Sequence, residues 1–480
     1  MEEQLYRLAE QWAGKTPERV ERLAGAGSNR SYCRFDFGYK SCVGVVGTSP
    51  DENRAFVYLA KLFHAKGLPV PEVYAVNDDC SCYLQADLGS LSLFDAVRQG
   101  RESGCFSDSE RALLTETIAQ LPRFQFEGAK GLDFSQCYPQ PSFDHRTVMW
   151  DLNYFKYSFL KLTGVEFRED LLENDFESLA AALLDEEYDT FMYRDFQSRN
   201  VMIKEDKPYF IDFQGGRRGP VYYDVASFTG QAKANFPDSV KAELIRTYLD
   251  ALKPYRDISE DAFCEKLRLF SFFRTLQVLG AYGFRGYIEQ KSHFVQSIPF
   301  AIKQLRALLP TITRTPYLAA VLDEVVGLKR FAPLPNADGL TVTVTSFSYH
   351  KGIPADMSGN GGGFVFDCRA LPNPGRYDEY KQLTGRDRPV IDFFAQHREI
   401  YDFIDEAKPM VDRAVGMYMK RGFDSLMVSF GCTGGQHRSV FAAEQIAAHI
   451  ARTFGVRVVL NHREQKIEQI FSSSKITGKQ

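Results

Sequence analysis

The chain has 480 residues, too many for one ordinary core, and its hydrophobic fraction of 44% and charged fraction of 25% are those of a water-soluble globular protein. A formal net charge of −4 argues against a general attraction for nucleic acid, and nine scattered cysteines without a CxxC pair argue against a disulfide framework or a zinc site. No run approaches the roughly 20 apolar residues of a membrane helix, and the acidic, amphipathic start lacks the pattern of a secretion signal, so a cytoplasmic location is expected.

In chain order, residues 21–90 read as strand-rich with one helix, Glu52 to Ala65, whose apolar positions 55, 56, 59, 62 and 63 share one face and which stops at Gly67. Residues 108–330 read as mostly helical, interrupted near 190–215 by short strand-like pieces, and close with a helix from Pro316 to Leu328. The stretch LKRFAPLPNADG then breaks the pattern. Beyond it come a strand at Leu340–Phe347, a strand at Phe364–Cys368 and a helix over Pro389–Lys420. A strand at Ser425–Phe430, a Gly-rich turn, a helix over Arg438–Thr453 and a strand at Val456–Asn461 follow. The expected architecture is an α+β, protein-kinase-like bilobal domain over 1–328 (lobes of about 1–90 and 91–328) and a linker at 329–339. An α/β domain with a partly parallel sheet at 340–470 and a tail at 471–480 complete it. From residue 331 onward basic residues slightly outnumber acidic ones, well short of a nucleic-acid footprint.

The chemistry-bearing pattern is Tyr193-Arg194-Asp195-Phe196-Gln197-Ser198-Arg199-Asn200, followed by an apolar strand that ends in Ile211-Asp212-Phe213. Phosphoryl transfer from ATP needs a carboxylate to receive the proton of the acceptor hydroxyl and oxygen ligands to hold Mg²⁺ against the phosphates. Asp195 fits the base, and Asn200 and Asp212 fit the metal, which takes few ligands from protein. Two Asp and one Asn in surface turns is the bland alternative, and the spacing with its leading strand disfavours it.

The stretches YRDFQSRN and IDFQGGRRGPVYYDVASF resemble the aminoglycoside-phosphotransferase-like kinases, above all the AmgK-like branch that phosphorylates N-acetylmuramate and N-acetylglucosamine at the anomeric hydroxyl. The resemblance spans most of residues 20–320. It implies that Asp224 holds the catalytic loop by hydrogen bonds and that adenine binds near Gln85 to Leu88, including Asp87. Tyr193 stands where the family usually has His, and the third strand, CVGVVG, has no lysine. The turn with Gly25, Gly27 and Ser28 offers N–H groups to phosphates, and Arg30 and Arg34 match paired arginines able to replace the lysine's charge; an ordinary hairpin with surface arginines is the alternative. Asp144, Trp150, Asp151 and Tyr154 fall on the acceptor-side helix, as sugar contacts or as a core-and-solvent pattern.

The last domain contains Gly431-Cys432-Thr433-Gly434-Gly435-Gln436-His437-Arg438-Ser439 between a strand and a helix, a ready anion site. The spacing of Cys432, Arg438 and Ser439 also fits the cysteine-phosphatase signature, but no general acid can be assigned. The GCTGG-x-HRS loop, with Phe366-Asp367-x-Arg369-x-Leu371-Pro372-Asn373-Pro374, Leu383-Thr384-Gly385-x-Asp387 and His462-Arg463, resembles the C-terminal domain of the RNase adapter RapZ over about 341–465. That resemblance implies a phosphorylated small-molecule ligand, with RNA as a further partner that the near-neutral charge does not support. RapZ begins with a Walker-type P-loop domain, and no GxxxxGK[ST] is present here.

Overall fold

The structure is a computed structural model that describes residues 2–23, 30–47, 49–186, 188–289, 291–295, 297–328, 331, 339–354, 356 and 362–471. It divides into two compact units, Met1–Phe284 with Ser297–Phe331, and Arg285–Gln296 with Ala332–Gln480. The stretch Arg285–Gln296, assigned to the first domain from sequence, groups with the second unit. Among the described residues no helix is long and apolar enough to cross a membrane.

The first unit opens with α1 (Glu2–Ala13), which sets Leu5 and Ala9, one turn apart, against a five-stranded sheet. Strands β1 (Arg19–Leu23), β2 (Ser31–Asp36), β3 (Ser41–Val46), β4 (Val73–Val76) and β5 (Cys82–Ala86) order as β1-β2-β3-β5-β4, every pair antiparallel. Helix α2 (Pro50–Ala65) starts where Ser49 accepts the Glu52 N–H and Pro50 has no N–H to lose. It ends before Gly67, whose φ of +67° a side chain would strain. The apolar face predicted for α2 is the buried one: Phe56 stacks on Tyr83 and on Phe213 at 4.9 Å each, so one ring ties the helix to the sheet and to the Asp212 segment.

The helical part comprises α3 (Leu93–Ala96), α4 (Arg98–Ser103), α5 (Asp108–Ala119), α6 (His145–Phe155) and α7 (Glu169–Leu183), then α8 (Val221–Thr229), α9 (Asp238–Leu252) and α10 (Glu260–Gly283), which packs on α6 and α8. Between α7 and α8 lie two small antiparallel ladders. Strands β6 (Phe191–Met192) and β9 (Arg217–Arg218) pair, and inside them β7 (Val201–Lys204) pairs with β8 (Lys207–Phe210). The β7–β8 turn is two residues, Glu205 and Asp206, both with positive φ, which matches strand twist. This nesting leaves two loops, 193–200 and 211–216, side by side. Helix α11 (Ser292–Val295) falls in the stretch that groups with the second unit, and α12 (Ile298–Leu308) and α13 (Pro316–Gly327) close the first.

In the second unit, β10 (Thr341–Ser348), β11 (Phe364–Asp367), β12 (Ser425–Cys432), β13 (Arg457–His462) and β14 (Ile467–Phe471) order as β11-β12-β10-β13-β14. The first four strands are parallel, and β14 returns antiparallel to β13, a strand the sequence pattern did not announce. Val342, Val344, Val428, Phe430, Ile446 and Ile450 form its core. The helix expected over Pro389–Lys420 is two, α14 (Arg388–Ala395) and α15 (Arg398–Arg421). His397 takes an extended ψ of 95°, and its ring Nδ1 lies 2.7 Å from the Phe393 carbonyl, which satisfies one orphaned helix-end acceptor. Helix α16 (Arg438–Phe454) follows β12 through the Gly-rich turn.

Candidate functional site

The loop 193–200 is held by backbone hydrogen bonds. Asp224, fully buried in the first turn of α8, accepts the N–H of Tyr193 and of Arg194, each at 2.8 Å. Burial pushes its carboxyl up to about 7, while those two N–H bonds pull it down. The Tyr193 hydroxyl donates to the Ile211 carbonyl at 2.5 Å, so the residue standing for the usual His joins the two loops directly. Arg194 is left with φ of +75°.

Asn200 then bridges the loops: its Nδ2 donates to the Asp195 carbonyl at 2.8 Å and to Asp212 Oδ2 at 3.2 Å. Gln214 Nε2 donates to Asp212 Oδ1 at 2.7 Å and to Glu52 Oε1 at 3.3 Å. Arg30 Nη2 lies 3.2 Å from the same Glu52 oxygen. A polar chain Asn200–Asp212–Gln214–Glu52–Arg30 therefore runs from the helical part to the sheet. Asp212 sits at φ of +67°, a strained conformation for a residue with a Cβ. Burial and then the charge of Asp195 raise its carboxyl above the usual range, opposed by the Gln214 hydrogen bond and by Arg30. Asp212 and the free Oδ1 of Asn200 are hard oxygen donors, which suit Mg²⁺ completed by phosphate and water. No group of three His, Cys, Asp or Glu that would hold a metal unaided exists among the described residues.

The other expected residues divide. Arg34 is paired: its Nε and Nη2 donate to the two carboxylate oxygens of Asp87 at 2.8 and 3.2 Å, and Nη2 also to the Gly89 carbonyl at 3.0 Å. Arg34 and Asp87 thus latch β2 to the segment after β5. Gln85 is buried in β5 between β3 and β4. Gly25, Gly27 and Ser28 lie outside the described residues. Asp144 is the N-cap of α6, its Oδ1 accepting the Thr147 N–H at 2.9 Å while Thr147 Oγ1 accepts the Asp144 N–H, so it starts the helix. Trp150 is half exposed. Asp151 does reach the site, 3.4 Å from Arg194 Nη2. Glu52, Gln214, Arg194, Arg217 and Arg274 were not anticipated. For Arg274 a signal existed, one cation inside the apolar run SFFRTLQVL, now 7% exposed with Nη2 3.6 Å from Asp195 Oδ1.

In the second unit the Gly-rich turn joins β12 to α16. Gly435 has φ of +67°, and a Cβ there would stand 2.8 Å from the Ser348 nitrogen. Cys432 Sγ accepts the Gly435 N–H at 3.2 Å and lies 3.2 Å from Ser439 Oγ. Burial would push this thiol up, but the Ser439 and Gln436 hydrogen bonds and the Arg438 charge prevail and bring it below its ordinary value. Arg438 is 5% exposed; Nη1 donates to the carbonyls of Arg369 and Leu371 at 2.7 and 3.2 Å, and Nε has no hydrogen-bond partner among the described residues. His437 Nε2 lies 2.9 Å from the Tyr380 carbonyl. Cys432, Thr433, Gly434, His437, Arg438 and Lys381 line a cleft of about 190 Å³.

Two family models match the chain: the phosphotransferase enzyme family over residues 46–260 and the RapZ C-terminal domain over residues 340–466. A curated nucleotide-binding protein of Acidobacterium capsulatum is 30% identical over 235 residues, 49% of this chain and 71% of its own. The chain belongs to the family of nucleotide-binding proteins with a RapZ C-terminal domain. In this RapZ-type chain a phosphotransferase-family domain precedes that domain. Nucleotide-binding proteins of Paraburkholderia xenovorans and Staphylococcus epidermidis are 38% and 36% identical over 141 and 133 residues, 29% and 28% of this chain. The RapZ-type chain spans less than half the length of these two relatives, 45% and 42%. Among solved structures, a choline kinase from Streptococcus pneumoniae is similar at TM-score 0.42 and 14% identity over 61% of this chain and 94% of that one. A choline/ethanolamine kinase family protein from Mesorhizobium loti is similar at 0.43 and 13% over 64% and 92%.

Proposed function

We propose that the chain is an ATP- and Mg²⁺-dependent phosphotransferase acting on the hydroxyl of a small molecule, a sugar or amino sugar of the kind the AmgK-like kinases use. The observation that carries this reading is Asn200 joining the Asp195 backbone to the Asp212 carboxylate through one amide. Asp195, whose side chain is 44% exposed, accepts the proton of the acceptor hydroxyl, and Arg274 orients its carboxylate. Asn200 and Asp212 hold Mg²⁺ by oxygen; when bound, the ion neutralises charge on the transferring phosphoryl group. Glu52 fixes Arg30 beside Asp212, where its guanidinium takes the place of the missing strand lysine on the ATP phosphates. In the second unit the turn Cys432–Arg438 binds a phosphorylated metabolite, with backbone N–H groups and the unpartnered Arg438 Nε as donors, and serves regulation. The test is ATP turnover with N-acetylglucosamine and N-acetylmuramate. Asp195→Asn lowers kcat by roughly 10²–10⁴-fold; equal turnover in wild type and variant refutes the assignment.

A second reading is favoured by one observation: the curated relatives are named nucleotide-binding proteins, and the RapZ C-terminal domain model matches residues 340–466. In it the first domain senses nucleotide and the second binds RNA as an adapter. RNA retention by Asp195→Asn, with no turnover on any sugar, selects this reading.

A further inference from the structure

Three arginines crowd the acceptor side of Asp195. Arg194 Nη2 lies 3.4 Å from Asp151, and Arg274 Nη2 lies 3.6 Å from Asp195. The third, Arg217, is 2% exposed, and its Nε and Nη2 donate to one carbonyl, Gly215 O, at 3.2 and 3.1 Å. Gly215 has no side chain there, and a Cβ would stand 3.7 Å from Asp195 Oδ2 and 3.8 Å from Arg194 Cδ. The Arg217 head is thus placed on a bare backbone strip beside the catalytic carboxylate. All three guanidiniums and Asp195 act electrostatically on Asp151, so three cations share two carboxylates.

A buried cation is retained where an anion answers it, because an uncompensated buried charge is strongly unfavourable. Arg217 has a carbonyl and no carboxylate partner among the described residues. Its guanidinium is correspondingly lowered to about 10, by burial first and by the charge of Arg194 second. A cationic acceptor would add a like charge to this excess; an anionic one cancels it.

We propose that the acceptor of this site is an anion, a small hydroxylated molecule whose carboxylate or phosphate seats on Arg217 and Arg194 while its hydroxyl meets Asp195. This rests on the phosphotransferase reading for the hydroxyl and on the arginines alone for the charge. Guanidinium suits both groups through paired N–H donors.

The test uses the full chain and four hexoses of one shape: glucose, glucosamine, glucuronate and glucose 6-phosphate. Calorimetry measures binding, and ATP turnover is measured separately. Glucuronate or glucose 6-phosphate binds at least roughly 10-fold tighter than the other two, and Arg217→Gln removes that preference while Arg217→Lys restores part of it. Which of the two anions wins tells carboxylate from phosphate. The difference between wild type and Arg217→Gln isolates this site from the cleft at Cys432. A preference for glucose or glucosamine, no preference among the four, or an anion preference untouched in Arg217→Gln overturns the proposal. Arg217-dependent anion binding with no turnover of any hexose upholds the charge selectivity and counts against the phosphotransferase reading instead.

Discussion

Arg30 and Arg34 read alike in the sequence, four residues apart on either side of a strand start, and the structure separates them. Arg30 is 7% exposed and reaches Glu52, whereas Arg34 is bound to Asp87 and Gly89. Arg30→Ala is therefore expected to lower kcat/KM for ATP by about 10²-fold, the usual effect of removing one preorganised charge donor. Arg34→Ala leaves that ratio within a few-fold and shows instead as a lower melting temperature; steady-state kinetics and a thermal melt of both variants check this. Asp195, Asn200 and Asp212 were legible as a group because they lie close in sequence, and one amide, that of Asn200, joins the other two. Glu52 and Gln214 were not, because each acts by holding a neighbour, and a hydrogen bond across 162 residues of sequence leaves no local pattern. Arg194, adjacent to Asp195 in sequence, was hidden by its positive φ, which turns it toward Asp151.

At the scale of elements, periodicity located α2, α16 and the parallel strands because each buries one face or both. It failed at α14 and α15, where the apolar period continues across the break at His397, whose backbone is extended. It also failed at β14, whose pattern is mostly exposed. The acceptor-side helix shows how an element-level role displaces a site-level one. Asp144 was a candidate sugar contact by position, yet its carboxylate is used on the Thr147 N–H at the start of α6. Asp144→Ala is expected to cost about 1 kcal/mol of stability, the price of a helix N-cap, with KM for the acceptor unchanged. Denaturant unfolding together with kinetics measures both. Asp144→Ser, which keeps a cap, should recover most of the loss.

At the scale of the molecule, two compact units carry the two proposed anion sites, which differ in construction. One is side-chain rich, with Arg30, Asn200 and Asp212; the other is a backbone turn at a helix start with Arg438. Each ligand should therefore raise the melting transition of its own unit. In the full chain, MgATP at 100 times its Kd adds about 2.7 kcal/mol to the first unit, and a phosphosugar at the same excess adds as much to the second. Calorimetry of wild type, Arg30→Ala and Thr433→Ala checks the assignment, each substitution abolishing one shift. The two units divide near the Pro-rich interruption, and Arg285–Gln296, which sequence adjacency places with the first domain, falls in the second unit.

Asp212 combines a left-handed backbone, partial burial that raises its carboxyl and a like charge at Asp195. Each of these opposes folding, and an amide at this position would relieve the last two. Asp212→Asn should melt higher than wild type and turn over nothing, which a melt and an assay on the same sample can show. The consequence reaches any effort to harden this protein. A library screened for heat resistance without a selection for turnover would enrich changes at position 212, and its hardiest survivors would be inert.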